Sequence, residues 1–342
     1  MSYVWLVPMA VGVSFLLTAA LRRYALSRSL LDVPNARSSH VIATPRGGGV
    51  AIVLTFTLSL GFLYVEGLIS SSVFFGNAGA GAAIALIGFM DDHGHIAARW
   101  RLLGHFAAAS WLLGWSGGLP AIELFGVHFD LGWTGYVLFI FYLMWLLNLY
   151  NFMDGIDGIA SVEAICVCLG ACLLYWMAGV DYLIWGPLLL AASVAGFLCW
   201  NFPPAKIFMG DAGSGYLGIM LGGLSLQGAW VSPSMLWAWL ILLGVFIVDA
   251  TFTLFRRLLR GDKVYEAHRS HAYQFASRQY RSHLPVTAIV GAINLLWLLP
   301  IAVAVTHFGL NSILGIFLAY APLVMLAIKF RAGELESPMM KN

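Results

Sequence analysis

Charge is what this sequence has least of. Only 10% of its 342 residues are Asp, Glu, Lys or Arg, against 61% hydrophobic, and the mean hydropathy is +0.85. A soluble domain is about 45–50% apolar and about 25% charged. No water-soluble core of this size could enclose so much apolar surface, so the composition excludes a soluble globular protein and places the chain in lipid. The net charge of +2 indicates no particular acidic or basic partner. Cysteine is scarce too: Cys166, Cys168, Cys172 and Cys199 lie inside apolar runs without metal-ligand spacing, which reads as packing. Internal repeats, heptads and low-complexity tracts are missing. The longest polar stretches hold only about 25–30 residues, too few for a separate soluble domain. The N-terminus has neither a basic n-region nor a small-residue cleavage site, and reads as a first span rather than a removed leader.

What is present is a series of apolar stretches. A helix crossing the hydrocarbon needs roughly 20 apolar residues. By that measure the chain has eleven candidates, at 4–21, 47–66, 72–90, 102–117, 133–150, 159–178, 182–200, 214–230, 235–255, 285–306 and 310–328. The expected fold is an all-α integral membrane protein, a polytopic bundle of about ten or eleven transmembrane helices. It forms one domain over 1–342, with a motif-bearing core at about 32–284. All 18 Lys and Arg fall in segments on one side, from Arg22 and Arg23 to Lys329, Arg331 and Lys341. The other side keeps Glu66, Glu123, Asp130 and Asp181 and no basic residue. The positive-inside rule makes the basic side cytoplasmic.

The same side collects the unusual polar clusters. Thr44-Pro45-Arg46-Gly47-Gly48-Gly49 opens the second stretch. Its glycines could expose N–H groups to an anion at a helix start, or simply allow close helix packing. Asp91-Asp92 ends the third stretch, where two carboxylates oppose the helix dipole unless a cation or a donor cluster compensates. Asn148, Asn151, Asp154 and Asp157 recur every third position at the mouth of two helices, so neighbours share a face if the segment is helical. Such a cluster is too polar for packing alone. Asp211 precedes the eighth stretch among glycines and Ser214, placed either to cap a helix or to bind a ligand. Three acidic clusters on one face suit a hard cation held by oxygens. Magnesium fits best, because it bridges a few carboxylates to phosphates. The loop 256–284 is the most basic, and its His268-Arg269-Ser-His271 run has the look of a phosphate clamp. Asp249 lies inside the ninth stretch, open to a functional role or to pairing with a nearby Arg or polar loop.

Taken in order on one face, Asp91-Asp92, the Asn148-to-Gly158 series, Gly210-Asp211-x-Gly213-Ser214 and the histidine loop resemble the polyprenyl-phosphate N-acetylhexosamine-1-phosphate transferases, the family of MraY and WecA. Each motif alone is weak; the ordered set is specific. Leu31-Asp-Val-Pro-Asn-Ala-Arg37-Ser-Ser-His40, Pro45-Arg-Gly-Gly-Gly49 and His268-Arg-Ser-His-Ala-Tyr-Gln274 are most similar to the WbpL-type branch that initiates O-antigen and related surface polysaccharides. Peptidoglycan-precursor enzymes of the family carry a basic extension after the aspartate pair and a third histidine. Both are missing here.

The resemblance implies transfer of an N-acetylhexosamine-1-phosphate from a UDP-sugar to undecaprenyl phosphate with release of UMP. The setting would be the cytoplasmic face of the bacterial inner membrane. It implies Mg2+, or Mn2+ in its place, held by Asp211 with Asp154. Asp154 and Asp157 would complete or position that site, and Asp91 or Asp92 would orient or deprotonate the lipid phosphate. Asn148 and Asn151 would position the nucleotide, and Arg46, His268, Arg269 and His271 would hold the diphosphate. Direct attack and a phospho-sugar intermediate on an aspartate both stay open. Nucleic acid is not an expected partner, and homodimerisation is left open. An intramembrane prenyltransferase would place paired carboxylates four apart on helix interiors, unlike the spacing here. A transporter would place its polar sites near the midplane, where only Asp249 points.

Overall fold

The structure is a computed structural model and describes residues 3–34, 40, 42–94, 96–263 and 268–335. Arg37 and His95 lie outside the described residues. Each apolar stretch forms helix: α1 (Leu6–Ser27), α2 (Val50–Val65), α3 (Ser71–His93), α4 (Ala98–Trp115), α5 (Gly132–Met153), α6 (Ile159–Met177), α7 (Trp185–Asn201) and α8 (Asp211–Val231). There follow α9 (Pro233–Leu242), α10 (Gly244–Leu259), a short α11 (Ala272–Tyr280), α12 (Leu284–Ile293), α13 (Leu299–His307) and α14 (Ser312–Lys329). A π-helical turn over Asn294–Leu298 joins α12 to α13 into one rod. Two short antiparallel pairs are the only sheet among the described residues: β1 (Leu31–Asp32) with β2 (Thr44–Pro45), and β3 (Ile122–Leu124) with β4 (Val127–Phe129).

Among the described residues, seven helical segments are long and apolar enough to cross a membrane. The ninth stretch differs from its expectation as a straight span. It breaks at Leu243 into α9 and α10, which diverge by 70°. The pattern of α10 explains the change of direction. It buries Phe246, Asp249, Thr253 and Arg257 along one face and exposes Phe255, Leu258 and Leu259 on another, so it is amphipathic where a spanning helix is apolar. Arg99, Arg101 and His105 lower the hydropathy of α4, and glycines and polar residues lower that of α8. Helix α8 has little need of lipid-compatible side chains, because nearly every residue from Ala212 to Ala229 is buried. It is the inner helix of the bundle, sheathed chiefly by α3, α5 and α9.

Close approach places the start of α8 beside two other helix ends. A Cβ on Gly49 would lie 2.4 Å from the Gly213 Cα, so α2 and α8 meet backbone to backbone. The strand-like segment before α8 continues this contact. Phe208 N–H donates to the Pro45 carbonyl (2.8 Å), and Gly48 and Gly49 donate to Phe208 (2.9 Å) and Met209 (2.8 Å). The glycine run is therefore a packing device. Its Gly48 and Gly49 N–H groups are already used and do not face an anion.

Candidate active site

A cavity of about 400 Å³ opens where the α1–α2 connection, the ends of α3, α5 and α7, the start of α8 and the loop before α11 converge. Arg46, Asp92, Asn151, Asp154, Asp157, Asp211 and His268 all line it. Seven of the side chains singled out in the sequence, from five separate segments, thus share one cavity.

The acidic side is built on Asp211, the first residue of α8. Asn151, on the last turn of α5, donates through Nδ2 to Asp211 Oδ1 (2.9 Å) and to Ser214 Oγ (3.1 Å). Arg101 Nη1 lies 3.9 Å from Asp211 Oδ2 and 2.7 Å from Asp91 Oδ2. Asp154 follows α5 directly, recessed in the same wall. Burial, and next the charges of Asp211, Asp92 and Asp157, hold its carboxyl well above the ordinary carboxylate range. Among the described residues no cation or N–H group partners the Asp154 carboxyl. A buried carboxyl without such a partner, set among three other aspartates, is the arrangement that a bound cation relieves.

Other carboxylates have local work. Asp92 is 6% exposed, and its two oxygens accept from the N–H groups of Asp211 (3.2 Å) and Ala212 (3.3 Å). The last turn of α3 thereby caps the first turn of α8, and the dipole of α8 supplies the compensation that α3 denies. Arg46 donates to the Asp92 carbonyl and fixes the same corner. Asp157 accepts from Ala205 N–H (3.0 Å) and lies 3.2 Å from His283 Nδ1. It ties the α5–α6 loop to the α7–α8 loop and to the start of α12.

Four residues expected in the site are placed elsewhere. Asp91 is engaged by Arg101 and by the Ile96 N–H (2.8 Å), beside a small neighbouring pocket rather than in the main cavity. Asn148 faces that small pocket and donates back to the Met144 carbonyl (2.7 Å). His271 is 2% exposed and pairs with Asp249, their Nδ1 and Oδ1 being 3.3 Å apart. The carbonyl of Arg269 accepts from Arg278 (3.2 Å), and its side chain does not line the cavity. Three of the side chains are engaged away from the cavity: Asp91 by Arg101 on α4 and the loop before it, Asn148 by its own helix, and His271 by Asp249 on α10.

Asp249 itself accepts from the N–H groups of Ala272 (2.9 Å) and Tyr273 (3.0 Å). It caps α11 as Asp92 caps α8, so the loop-pairing reading of Asp249 holds. His268 does reach the cavity, stacked on His271 at 4.9 Å. Burial, then the neighbouring His271 and Arg257, push its pKa down to about 3. It is an uncharged hydrogen-bonding group at neutral pH, not half of a cationic clamp.

Sequence reasoning left several lining residues without a role. His40 and Gln274, which lie within quoted motifs, line the cavity, as do Asn201, Phe208 and His283. Asn201 accepts from the Gly158 N–H (3.0 Å) and donates to the Ile207 carbonyl (3.0 Å), stitching two loops. Arg101 read only as a topology charge. Its signal was its position three residues into a helix that starts next to an aspartate pair. Nothing near His283 could have identified it.

Comparisons with known proteins identify the family. The family model for glycosyl transferase family 4 matches residues 74–229, a stretch that holds the aspartate pair, the Asn/Asp series and Asp211. The chain is 30% identical over 270 residues to the probable undecaprenyl-phosphate N-acetylglucosaminyl 1-phosphate transferase of Bacillus subtilis, spanning 75% of this chain and 72% of that protein. It is 27% identical over 316 residues, 81% and 76% of the two chains, to a decaprenyl-phosphate N-acetylglucosaminephosphotransferase of Mycobacterium tuberculosis. A phospho-N-acetylmuramoyl-pentapeptide-transferase of Pelotomaculum thermopropionicum is 30% identical over 256 residues, 69% and 76% of the two. With its apolar helices and its acidic cavity, this chain belongs to glycosyl transferase family 4, the polyprenyl-phosphate hexosamine-1-phosphate transferases.

Proposed function

We propose that the protein transfers an N-acetylhexosamine-1-phosphate from a UDP-sugar to undecaprenyl phosphate and releases UMP. The reaction takes place at the cytoplasmic face of the bacterial inner membrane, as the first step of O-antigen or a related surface polysaccharide. The observation that carries this reading is the pairing of Asp154 with Asp211 in one polar cavity, at the end of the bundle where the basic residues collect. Attacking and leaving groups are both phosphates, so negative charge accumulates in the transition state. Catalysis then rests on positioning and charge neutralisation.

Among the described residues no group of three His, Cys, Asp or Glu side chains is arranged to hold a metal. Two carboxylates fit Mg2+ well, since that ion keeps waters and takes its remaining oxygens from substrate phosphates. Held by Asp211 and Asp154, it would neutralise diphosphate charge. Asn151 fixes the rotamer of Asp211. Arg46, at the corner it shares with Asp92, presents a charged donor fork to a phosphate, and neutral His268 offers a hydrogen bond without competing for the cation. Asp92 serves by holding α8, and with it Asp211, in place. The lipid phosphate has a second pKa near 6, so much of it arrives dianionic and a strong general base is dispensable. This agrees with Asp91 being committed to Arg101. The surface-polysaccharide branch is favoured by the Asp91-Asp92-His93-Gly94 sequence, which lacks the basic extension of the peptidoglycan enzymes.

The test is to incubate purified protein with undecaprenyl phosphate, Mg2+ and a panel of UDP-N-acetylsugars. UMP release with one or more of them is the expected result. Absence of UMP with every sugar, or release of inorganic diphosphate in its place, would overturn the proposal.

A further inference from the structure

His268 reaches the cavity from a loop, and a contact that holds this loop comes from beyond α14. The Ser270 N–H (3.3 Å) and Oγ (2.9 Å) both meet His268 Nδ1. An amide hydrogen approaches an imidazole nitrogen closely only where that nitrogen bears its lone pair. Nδ1 is therefore the acceptor, and the ring proton lies on Nε2. Among the described residues no group hydrogen-bonds to Nε2, and the ring lines the cavity. This second N–H is left to donate to a substrate oxygen.

Ser270 is itself anchored. Its carbonyl accepts from the Gly333 N–H (2.6 Å). Gly333 belongs to a short strap, residues 331–334, that two arginines at the end of α10 clasp. Arg256 donates to the Ala332 carbonyl (3.2 Å) and pairs with Glu334 (2.8 Å), while Arg260 donates to the Gly333 carbonyl. Ala332 is fully buried in a small apolar cluster with Ala272 and Ala327. Gly333 has a φ of +75°, and a Cβ there would lie 3.0 Å from the Arg256 Cβ and 3.1 Å from the Thr253 carbonyl oxygen. Glycine thus lets the strap lie against α10. Membrane topology accounts for Arg256 and Arg260 as charges. It does not account for two guanidinium groups committed to the backbone carbonyls of one segment.

We propose that Ser270 is a positioning residue for substrate binding: anchored by the 331–334 strap, it presents His268 to the diphosphate of the sugar nucleotide as an Nε2–H donor. The inference rests on the transferase reading.

The test uses the full-length protein in lipid nanodiscs, with the UDP-sugar that the wild type accepts. His268→Ala loses a hydrogen bond to a charged group and should raise KM by about tenfold. His268→Gln, whose amide N–H lies near the place of Nε2, should recover most of that loss. His268→Asn, whose amide reaches only as far as Nδ1, should not. Ser270→Ala removes one of the two donors to Nδ1, and Gly333→Val displaces the strap. Each should raise KM by about threefold or more, with kcat within about threefold of wild type. Neither should add to His268→Ala: in the double variants KM stays within about twofold of the His268→Ala value. A merely structural role would add in full. Hydrogen exchange at the Ser270 amide should rise in Gly333→Val, with the start of α8 unchanged. If Gly333→Val does not fold, Arg256→Ala, which releases Ala332 and Glu334, carries the same expectations. An unchanged KM in either single variant, losses that add fully to that of His268→Ala, or recovery by Asn rather than Gln would overturn the inference. Lack of turnover by the wild type would instead refute the transferase reading. The hydrogen-exchange comparison would still decide whether the strap holds the loop.

Discussion

Asp211 and Asp154 share a wall but have opposite surroundings. Asp211 is held by Asn151 with Arg101 at 3.9 Å, whereas Asp154 meets mainly other carboxylates. Asp211→Asn keeps the hydrogen bond geometry and loses the charge. It should insert normally and lose at least about a hundredfold in turnover, at every Mg2+ concentration in a UMP-release titration. Normal turnover would remove Asp211 from the cation site. Asp154 gives a pH signature. Its folded pKa is raised, so between the unfolded value near 4 and that higher value the folded chain binds more protons than the unfolded one. Without a divalent cation, stability falls over that window by up to about 1.4 kcal/mol per pH unit. In EDTA the melting temperature should decline as pH rises above the ordinary carboxylate range, Mg2+ should restore more at higher pH, and Asp154→Asn should flatten the slope. Equal Mg2+ stabilisation at both ends would contradict the assignment. Arg46, Asn151, Asp154, Asp211 and His268 were all legible in the sequence as candidates, because polar residues at helix mouths in an apolar chain stand out. What was not legible is which acids serve as caps. Asp92 reaches amides 119 and 120 residues away, and a helix-terminal acid carries no sign of which other helix starts beside it.

Two helix starts, those of α8 and α11, are each closed by an aspartate from a different helix, Asp92 from α3 and Asp249 from α10. Both caps fix the orientation of an element that lines the cavity. At α8 the cap depends on Gly210, whose φ of +79° favours glycine and whose added Cβ would sit 2.7 Å from Asp92 Oδ2. Gly210→Ala should therefore destabilise the protein by about 1–3 kcal/mol and lower activity by displacing Asp211. Gly47 is a contrast, with φ +92° and open space around its Cβ position. Gly47→Ala should cost only about 1 kcal/mol. Thermal unfolding of both variants in one detergent, with turnover per folded molecule, checks the pair; equal losses would mean that the cap is dispensable. Hydropathy located every apolar helix, since lipid imposes length and composition directly. It missed the 70° break at Leu243, because a run of Leu, Ile, Val and Phe continues across it and only the amphipathic pattern after Gly244 changes.

For the whole molecule, the cavity gathers helix ends that alternate along the chain, as an up-and-down bundle requires, and the basic residues gather there too. The orientation has a direct test. In a background lacking the exposed Cys199, Glu123→Cys should react with an impermeant maleimide on intact cells, and Asp262→Cys only after permeabilisation. The reverse pattern would turn the protein over in the membrane. The sheathing of α8 has a further consequence, for biogenesis. The most enclosed helix is not among the most apolar ones, so as it emerges from the ribosome it offers the bilayer a weak signal. Of its two main partners before it in the chain, α3 and α5 are both synthesised first. The nascent protein thus prepares a proteinaceous slot into which α8 can pass, and its insertion should fail in a truncated chain that lacks α3 while succeeding in one that ends at residue 231.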